Sequence, residues 1–188
     1  MLQMFELWQF NRVFIRMKIY TKKGDRGETA IFYGLNINKH SLRVECLGTV
    51  DELNASIGAA NTLIQQQDIS TLLKQVQHTL FNIGAELAKL SIHQEISVAL
   101  LEQAIDYYQQ QLPALKNFIL PSGCQAATAL HMARTICRRA ERKISKLYQA
   151  EEVSENTLAY LNRLSDLLFV LARTMNHRAG IQDELWRR

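Results

Sequence analysis

Apolar residues recur at steps of three and four along five long segments of this chain, which is the period of an amphipathic helix. The segments cover about residues 43–66, 69–90, 97–112, 122–148 and 154–179. Pro113 ends the third segment because proline lacks an amide hydrogen, and Gly180 ends the fifth. Only 8 glycines and 2 prolines occur in 188 residues, which disfavours a sheet-rich fold. The pattern predicts an all-α, five-helix up-and-down bundle.

The composition suits one domain, because 188 residues that are 47% hydrophobic can bury a substantial core. We expect that domain to span residues 18–188. Residues 1–17 mix aromatic and charged side chains, which interrupts any signal-peptide core. They are interpreted as a loosely ordered extension, as a membrane-surface helix, or as the product of a start upstream of Met17.

Charge and cysteine content limit the partners and the compartment. The net charge of +4 and the pI near 9.0 permit either nucleic acid or an anionic small molecule. No apolar run approaches the roughly 20 residues of a membrane span. The three cysteines show no C-x-x-C spacing, so neither a disulfide framework nor a zinc site is indicated. A cytoplasmic location is expected.

An ordered row of arginines follows a short apolar loop at Phe118–Gly123. Arg134, Arg138 and Glu141 fall on one stripe of the fourth segment at 100° per residue. The neighbouring stripe is apolar and contains Leu130, Ala133, Cys137, Ala140, Ile144 and Leu147. The row of arginines is either a binding site for a polyanion or a solvated basic face.

A Gly-rich segment at residues 18–40 differs from the helical remainder, and we expect an ordered loop with β-leaning residues at 19–20 and 31–33. Gly24 and Gly27 stand among two lysines, an arginine and two threonines. Glycine lets backbone N–H groups turn inward, and the cations add charge, which is how phosphates are held. The spacing matches neither common phosphate-loop motif, so a turn-rich connector is the alternative.

Polar residues also interrupt two of the apolar helices. Asp51 and Glu52 lie close to the apolar seam of the first, and Asn162, Ser165 and Asp166 break the leucines of the fifth. A buried carboxylate needs a partner, and an arginine of the fourth helix is the natural candidate. Each residue alone could be a satisfied interhelical hydrogen bond, but together they favour a shared site.

Taken together, these motifs resemble the PduO-type ATP:cob(I)alamin adenosyltransferases. The resemblance runs over about residues 18 to 175, in the order of that family. It rests on five stretches: KIYTKKGDRG from Lys18, VDELN from Val50, FILPSG from Phe118, RRAER from Arg138 and NRLSD from Asn162. The resemblance implies a five-helix bundle assembled as a homotrimer with nucleotide sites between subunits. It also implies transfer of the 5′-deoxyadenosyl group of ATP to the cobalt of reduced cobalamin, with release of triphosphate.

The resemblance carries roles to particular residues. Asp51 and Arg134 match an ion pair beside the corrin, and Phe118 matches the aromatic residue that fills the lower face of cobalt. Mg²⁺ is expected on the ATP phosphates rather than in a site made by protein alone. The ATP-binding residues implied are Thr21, Lys22, Lys23, Gly24, Asp25, Thr29, Ala30, Lys39, Arg138, Arg139, Glu141, Arg142 and Asn162.

The sequence bears on three rival functions. A ferritin-like di-iron site needs Glu-x-x-His, which none of the five histidines provides. A nucleic-acid-binding module would interleave aromatic residues with the cations of the fourth helix, and this chain does not. A cobalamin-delivery or regulatory role stays open beside catalysis. We expect ATP and cob(I)alamin as small-molecule partners, no nucleic acid and no membrane, with a flavin-type reductase and an adenosylcobalamin-dependent enzyme as possible protein partners.

Overall fold

The computed structural model describes Tyr20 and residues 22–31, 36–90, 96–150 and 153–187. All five predicted helices occur among them, and the fold class is confirmed. Their bounds are α1 Leu42–Asn61, α2 Gln67–Leu87, α3 Ala99–Gln109, α4 Gln125–Ala150 and α5 Glu155–Arg178. The start of α4 falls after the predicted residue 122, because Gly123 adopts a positive φ of 113° that ends the preceding turn.

Local signals explain where two helices begin and end. Ser154 caps α5 at the predicted start of the fifth segment, since its hydroxyl accepts a hydrogen bond from the Asn156 N–H at 3.1 Å. Gly180 follows the end of α5 with φ of 70°, also as predicted. Ser41 caps α1, where its hydroxyl accepts a hydrogen bond from the Val44 N–H.

The core lies between the stripes that the helical period predicts. α4 packs against α1 and α5, α1 also packs against α2, and α3 packs against α5. All six residues of the predicted apolar stripe of α4, from Leu130 to Leu147, are fully buried. None of the described helices combines the length and the apolar character that crossing a membrane requires.

The Gly-rich segment ends in a short hairpin. Strand β1 covers Glu28–Ala30 and pairs antiparallel with β2 at Asn36–Asn38. The strands therefore differ from the predicted β-leaning run 31–33, where Ile31 is a buried residue that follows β1. The expectations for residues 1–19, Thr21 and residues 32–33 concern positions outside those that the structure describes.

Candidate functional site

A cleft of about 830 Å³ opens between α3, α4 and α5. Arg134 and Arg138 line it from α4, one helical turn apart. Arg163 and Arg173 of α5 also line it, and each of these two is already paired with a carboxylate, Glu102 and Asp183 respectively. The cleft therefore contains two arginines that are neutralised by carboxylates, Arg163 and Arg173, together with Arg134 and Arg138.

Arg134 and Arg138 have no salt-bridge partner among the described residues. The Nε atom of Arg134 is buried and makes no hydrogen bond with the residues that the structure describes. Burial, and then repulsion from Arg138, lower the pKa of Arg134. A ligand with several negative charges would relieve both effects, so the cleft is suited to a polyanion.

The next turn of α4 brings further predicted residues together. Asn162 of α5 donates a hydrogen bond from Nδ2 to Glu141 Oε1 at 2.9 Å. Arg139 forms a salt bridge with Glu52 of α1, so its guanidinium is already occupied in a single chain. Arg142 is exposed one residue beyond Glu141.

Asp51 does not meet Arg134 within a single chain. It is exposed, and among the described residues no bond joins it to Arg134. The reason is helix rotation, because Val50, Leu53 and Asn54 face the core and turn position 51 towards solvent. The expected link from α1 to an arginine of α4 does exist, but Glu52 makes it.

The Gly-rich loop forms consecutive turns before β1. Gly27 donates to the carbonyl of Gly24 at 3.4 Å, with a φ of 85° that glycine adopts without strain. Lys39 Nζ donates to the carbonyl of Gly24 at 2.7 Å, which brings this predicted cation to the loop. Lys22, Lys23 and Asp25 are exposed, and Thr29 and Ala30 lie in β1. No described hydrogen bond or ion pair joins residues 22–30 to α4.

Phe118 stands at a second, smaller pocket of about 490 Å³, beside the loop that leads into α4. Its side chain is 80% exposed, and its ring meets Trp186 edge to face at 6.4 Å. A large apolar ring so exposed in a single chain is available to a ligand.

Sequence reasoning missed the buried polar residues around this loop. Arg173 is 6% exposed in α5, and the charge within the apolar run from Leu171 to Met175 was a signal that it has a buried partner. Asn176 and His131 are buried as well, at 2% and 3% exposure. Neither ring nitrogen of His131 has a hydrogen-bond partner in the described part of the chain. Its burial, and then the nearby charge of Arg134, lower its pKa, while Asp183 opposes the shift.

Comparison with known proteins identifies the class. The cobalamin adenosyltransferase family matches residues 19–175. The corrinoid adenosyltransferase of Bacillus subtilis is 47% identical over 176 residues, covering 89% of this chain and 91% of that protein. The human corrinoid adenosyltransferase MMAB is 40% identical over 182 residues, covering 90% of this chain and 73% of the human protein.

Solved structures agree with the sequence relatives. A phenylalanine-to-alanine variant of a PduO-type ATP:corrinoid adenosyltransferase from Lactobacillus reuteri, complexed with cobalamin and ATP, superposes with a TM-score of 0.87. It is 41% identical, and the match covers 91% of this chain and all of that one. The chain belongs to the cobalamin adenosyltransferase family. The enzyme class predicted from the sequence is thereby confirmed.

Proposed function

We propose that this chain transfers the 5′-deoxyadenosyl group of ATP to the cobalt of cob(I)alamin and releases intact triphosphate. The observation that carries the proposal is a cleft large enough for a nucleotide, lined by Arg138, which has no salt-bridge partner among the described residues. Glu141 and Asn162 lie bonded to each other on the next turn, where they can orient the rest of the nucleotide. The Gly-rich loop adds N–H donors and lysines for the phosphates.

The reaction needs little chemical help from side chains. Cob(I)alamin is itself a strong nucleophile, so the protein must hold C5′ of ATP in line with it. Negative charge develops on the departing triphosphate, and Arg138 with the lysines of the loop would stabilise it. Mg²⁺ would be held mostly by the phosphate oxygens of ATP, and the carboxylates of Asp25 and Glu141 are oxygen ligands of the kind that this ion would accept.

Phe118 is proposed for the corrin side. Its exposed ring would displace the lower axial ligand of cobalt, which makes Co(II) easier to reduce before transfer. The pocket beside it and the contact with Trp186 support this placement, because an apolar surface next to the nucleotide cleft suits a large ligand with apolar faces.

The assembly is proposed to be a homotrimer with sites shared between subunits. Within one chain the Gly-rich loop makes no described bond to α4, and exposed Asp51 makes none to Arg134. Both gaps would close if a neighbouring subunit supplied the loop and the aspartate. We also propose a cytoplasmic location, in which the three free thiols stay reduced, and service by a flavin-type reductase and an adenosylcobalamin-dependent enzyme.

The proposal is tested with ATP and chemically reduced cobalamin. We expect the cob(I)alamin absorbance to disappear with formation of adenosylcobalamin, and one triphosphate to be released per adenosylcobalamin. A reaction without reduced cobalamin serves as the control for ATP hydrolysis. Stoichiometric release of orthophosphate during turnover would contradict the proposal, and saturable cobalamin binding without turnover would favour a delivery role.

A further inference from the structure

Residues 181–187, here called the tail segment, follow α5 and lie antiparallel to residues 118–122, here called the Phe118 loop. The Trp186 N–H donates to the carbonyl of Phe118 at 2.9 Å, and the Leu120 N–H donates to the carbonyl of Glu184 at 2.8 Å. Ile119 and Leu185 form a β-bridge between these two bonds. The backbone of the loop is therefore paired with residues more than sixty positions later in the chain.

The side chain and the backbone carbonyl of Asn176 hold the Phe118 loop and the tail segment together at one end of this pairing. Its Oδ1 accepts from the Cys124 N–H at 3.0 Å, and its Nδ2 donates to the Ser122 carbonyl at 3.1 Å. Its own carbonyl accepts from the Ile181 N–H at 2.9 Å. One buried residue thus holds both the end of the Phe118 loop and the start of the tail segment.

Arg173 and Asp183 hold the tail segment from the other side. Arg173 Nε donates to Asp183 Oδ2 at 2.7 Å, and Arg173 Nη2 donates to the Pro113 carbonyl at 2.9 Å. The two side chains are only 6% and 15% exposed. Charge-assisted bonds in such a place are strong, and removing one partner leaves a buried charge unsatisfied. The pair therefore connects α5, the residues that follow α3, and the tail segment.

Phe118 depends on this framework because its own ring is 80% exposed and has little packing to orient it. Its direction is set by the loop backbone, which pairs with the tail segment, and by the edge of Trp186. We propose that Arg173 and Asp183 are a positioning pair that acts through the tail segment on Phe118, so that they control reduction of bound Co(II) without binding ATP. This inference rests on the proposed function, in particular on the corrin side for Phe118.

The test uses Asp183→Asn, which keeps the shape of the side chain and removes its charge. We expect turnover that starts from cob(II)alamin and a reductant to fall by about tenfold, while the ATP KM changes less than twofold. Chemically supplied cob(I)alamin should be adenosylated nearly normally. The absorption spectrum of bound cob(II)alamin should shift in the same direction as that of Phe118→Ala, which reports the lower ligand of cobalt. Asp68→Asn is the matched control, because it breaks another ion pair of α5, that of Arg178, with a carboxylate from α2 rather than from the tail segment.

A double-mutant cycle separates positioning from a direct or a merely structural role. Asp183→Asn should add little to the defect of Phe118→Ala, since both act on the same ring. A raised ATP KM in Asp183→Asn would overturn the proposal, because Arg173 lines the nucleotide cleft and would then hold phosphate itself. The proposal would also be overturned if the losses of activity in Asp183→Asn and Phe118→Ala were fully additive, or if Asp68→Asn lost as much activity. The ion pair would then contribute only to the general stability of the protein.

Hydrogen exchange gives a readout that needs no substrate. In Asp183→Asn the amides of Leu120 and Trp186 should exchange at least tenfold faster, while buried amides of α5 such as that of Leu168 keep their protection. Unchanged exchange at both amides would refute the positioning pair even if the enzyme works as proposed. If these amides exchange faster in Asp183→Asn but the unsubstituted protein does not transfer the adenosyl group, the positioning role of the pair is supported and the proposed function is refuted.

Discussion

At the scale of single residues, the site is defined by which charges have partners. Arg139, Arg163 and Arg173 are each bonded to a carboxylate, whereas Arg134 and Arg138 have none among the described residues. A row of arginines in the sequence could not reveal this distinction, because it depends on acidic residues from other helices. Of the six cations of α4, Arg139 and Lys143 are paired with carboxylates of α1, and of the other four only Arg134 and Arg138 line the cleft.

We predict that Arg138→Ala raises the ATP KM by about tenfold or more, since a charge-assisted contact is worth roughly 1.5–3 kcal/mol. Steady-state kinetics with chemically reduced cobalamin measures this. Lys146→Ala, which removes an exposed cation further along α4, is the control and should leave the KM unchanged. An unaltered KM in Arg138→Ala would remove this residue from the nucleotide site.

Phe118→Ala should act differently. We expect the reaction from cob(II)alamin to fail while ATP binding survives and supplied cob(I)alamin is still adenosylated. The comparison of both starting oxidation states in one assay checks this. If Phe118→Ala lowers ATP affinity as much as Arg138→Ala does and spares the Co(II)-dependent reaction, the Phe118 loop belongs to the nucleotide.

His131 should make stability depend on pH. Burial lowers its pKa below the ordinary value of 6.5, so the unfolded chain takes up a proton first as the pH falls. Stability should therefore be complete above about pH 6.5 and decrease below it until the folded pKa is passed. The thermal midpoint of His131→Phe should fall less than that of the unsubstituted chain between about pH 7.5 and 5.5. His78→Gln, at an exposed position, is the control and should behave like the unsubstituted chain.

At the scale of helices, the period of apolar residues predicted nearly all of the fold. The stripe of α4 is an example, because all six of its predicted residues are buried. Helix ends were harder to predict. The pattern predicts that α1 extends to residue 66, beyond its end at Asn61, because the apolar residues continue past the end of the helix. Asp51 is similarly difficult to place, because a residue beside the apolar seam becomes buried or exposed with a small rotation of α1 about its axis.

Glu86 of α2 is an element-scale feature that local sequence did not indicate. Its carboxylate accepts from the Ser154 N–H at 2.6 Å and from the Thr157 hydroxyl, so it completes the first turn of α5 from another helix. We predict that Glu86→Ala lowers the free energy of unfolding by about 1–3 kcal/mol, measured by urea denaturation. Gln75→Ala on the exposed face of α2 should change it little. Equal stability of both variants would show that the contact contributes nothing.

At the scale of the whole molecule, the parts of the proposed site that one chain leaves apart are the Gly-rich loop and α4. We predict a particle of three times the 21.6 kDa chain mass by light scattering. Asp25→Ala and Arg138→Ala chains, each of low activity, should regain activity when unfolded together and refolded as a mixture. A fully active monomer, or a mixture that stays inactive, would place the complete site within one chain.

Pairing of the tail segment with the Phe118 loop could not be predicted from the sequence either. Trp186 and Phe118 are 68 positions apart, and the bonds between them are made by backbone groups that every residue carries. Only the charge of Arg173 within an apolar helix pointed towards it. Residue types indicate a helix and a phosphate loop, whereas contacts between distant backbones leave no pattern in a single sequence.

Gly123 and Asn176 have a consequence for how this family can vary. A Cβ built on Gly123 would stand 2.0 Å from Asn176 Oδ1, and its φ of 113° is one that side chains rarely adopt. Substitutions at these two positions are therefore expected to be coupled during evolution. A homologue with a larger residue at the first position is expected to carry a smaller one at the second, and to have found another way to bond the ends of both segments. Covariation between positions 123 and 176 in an alignment of the family would therefore reflect a contact that has no room for one additional methyl group.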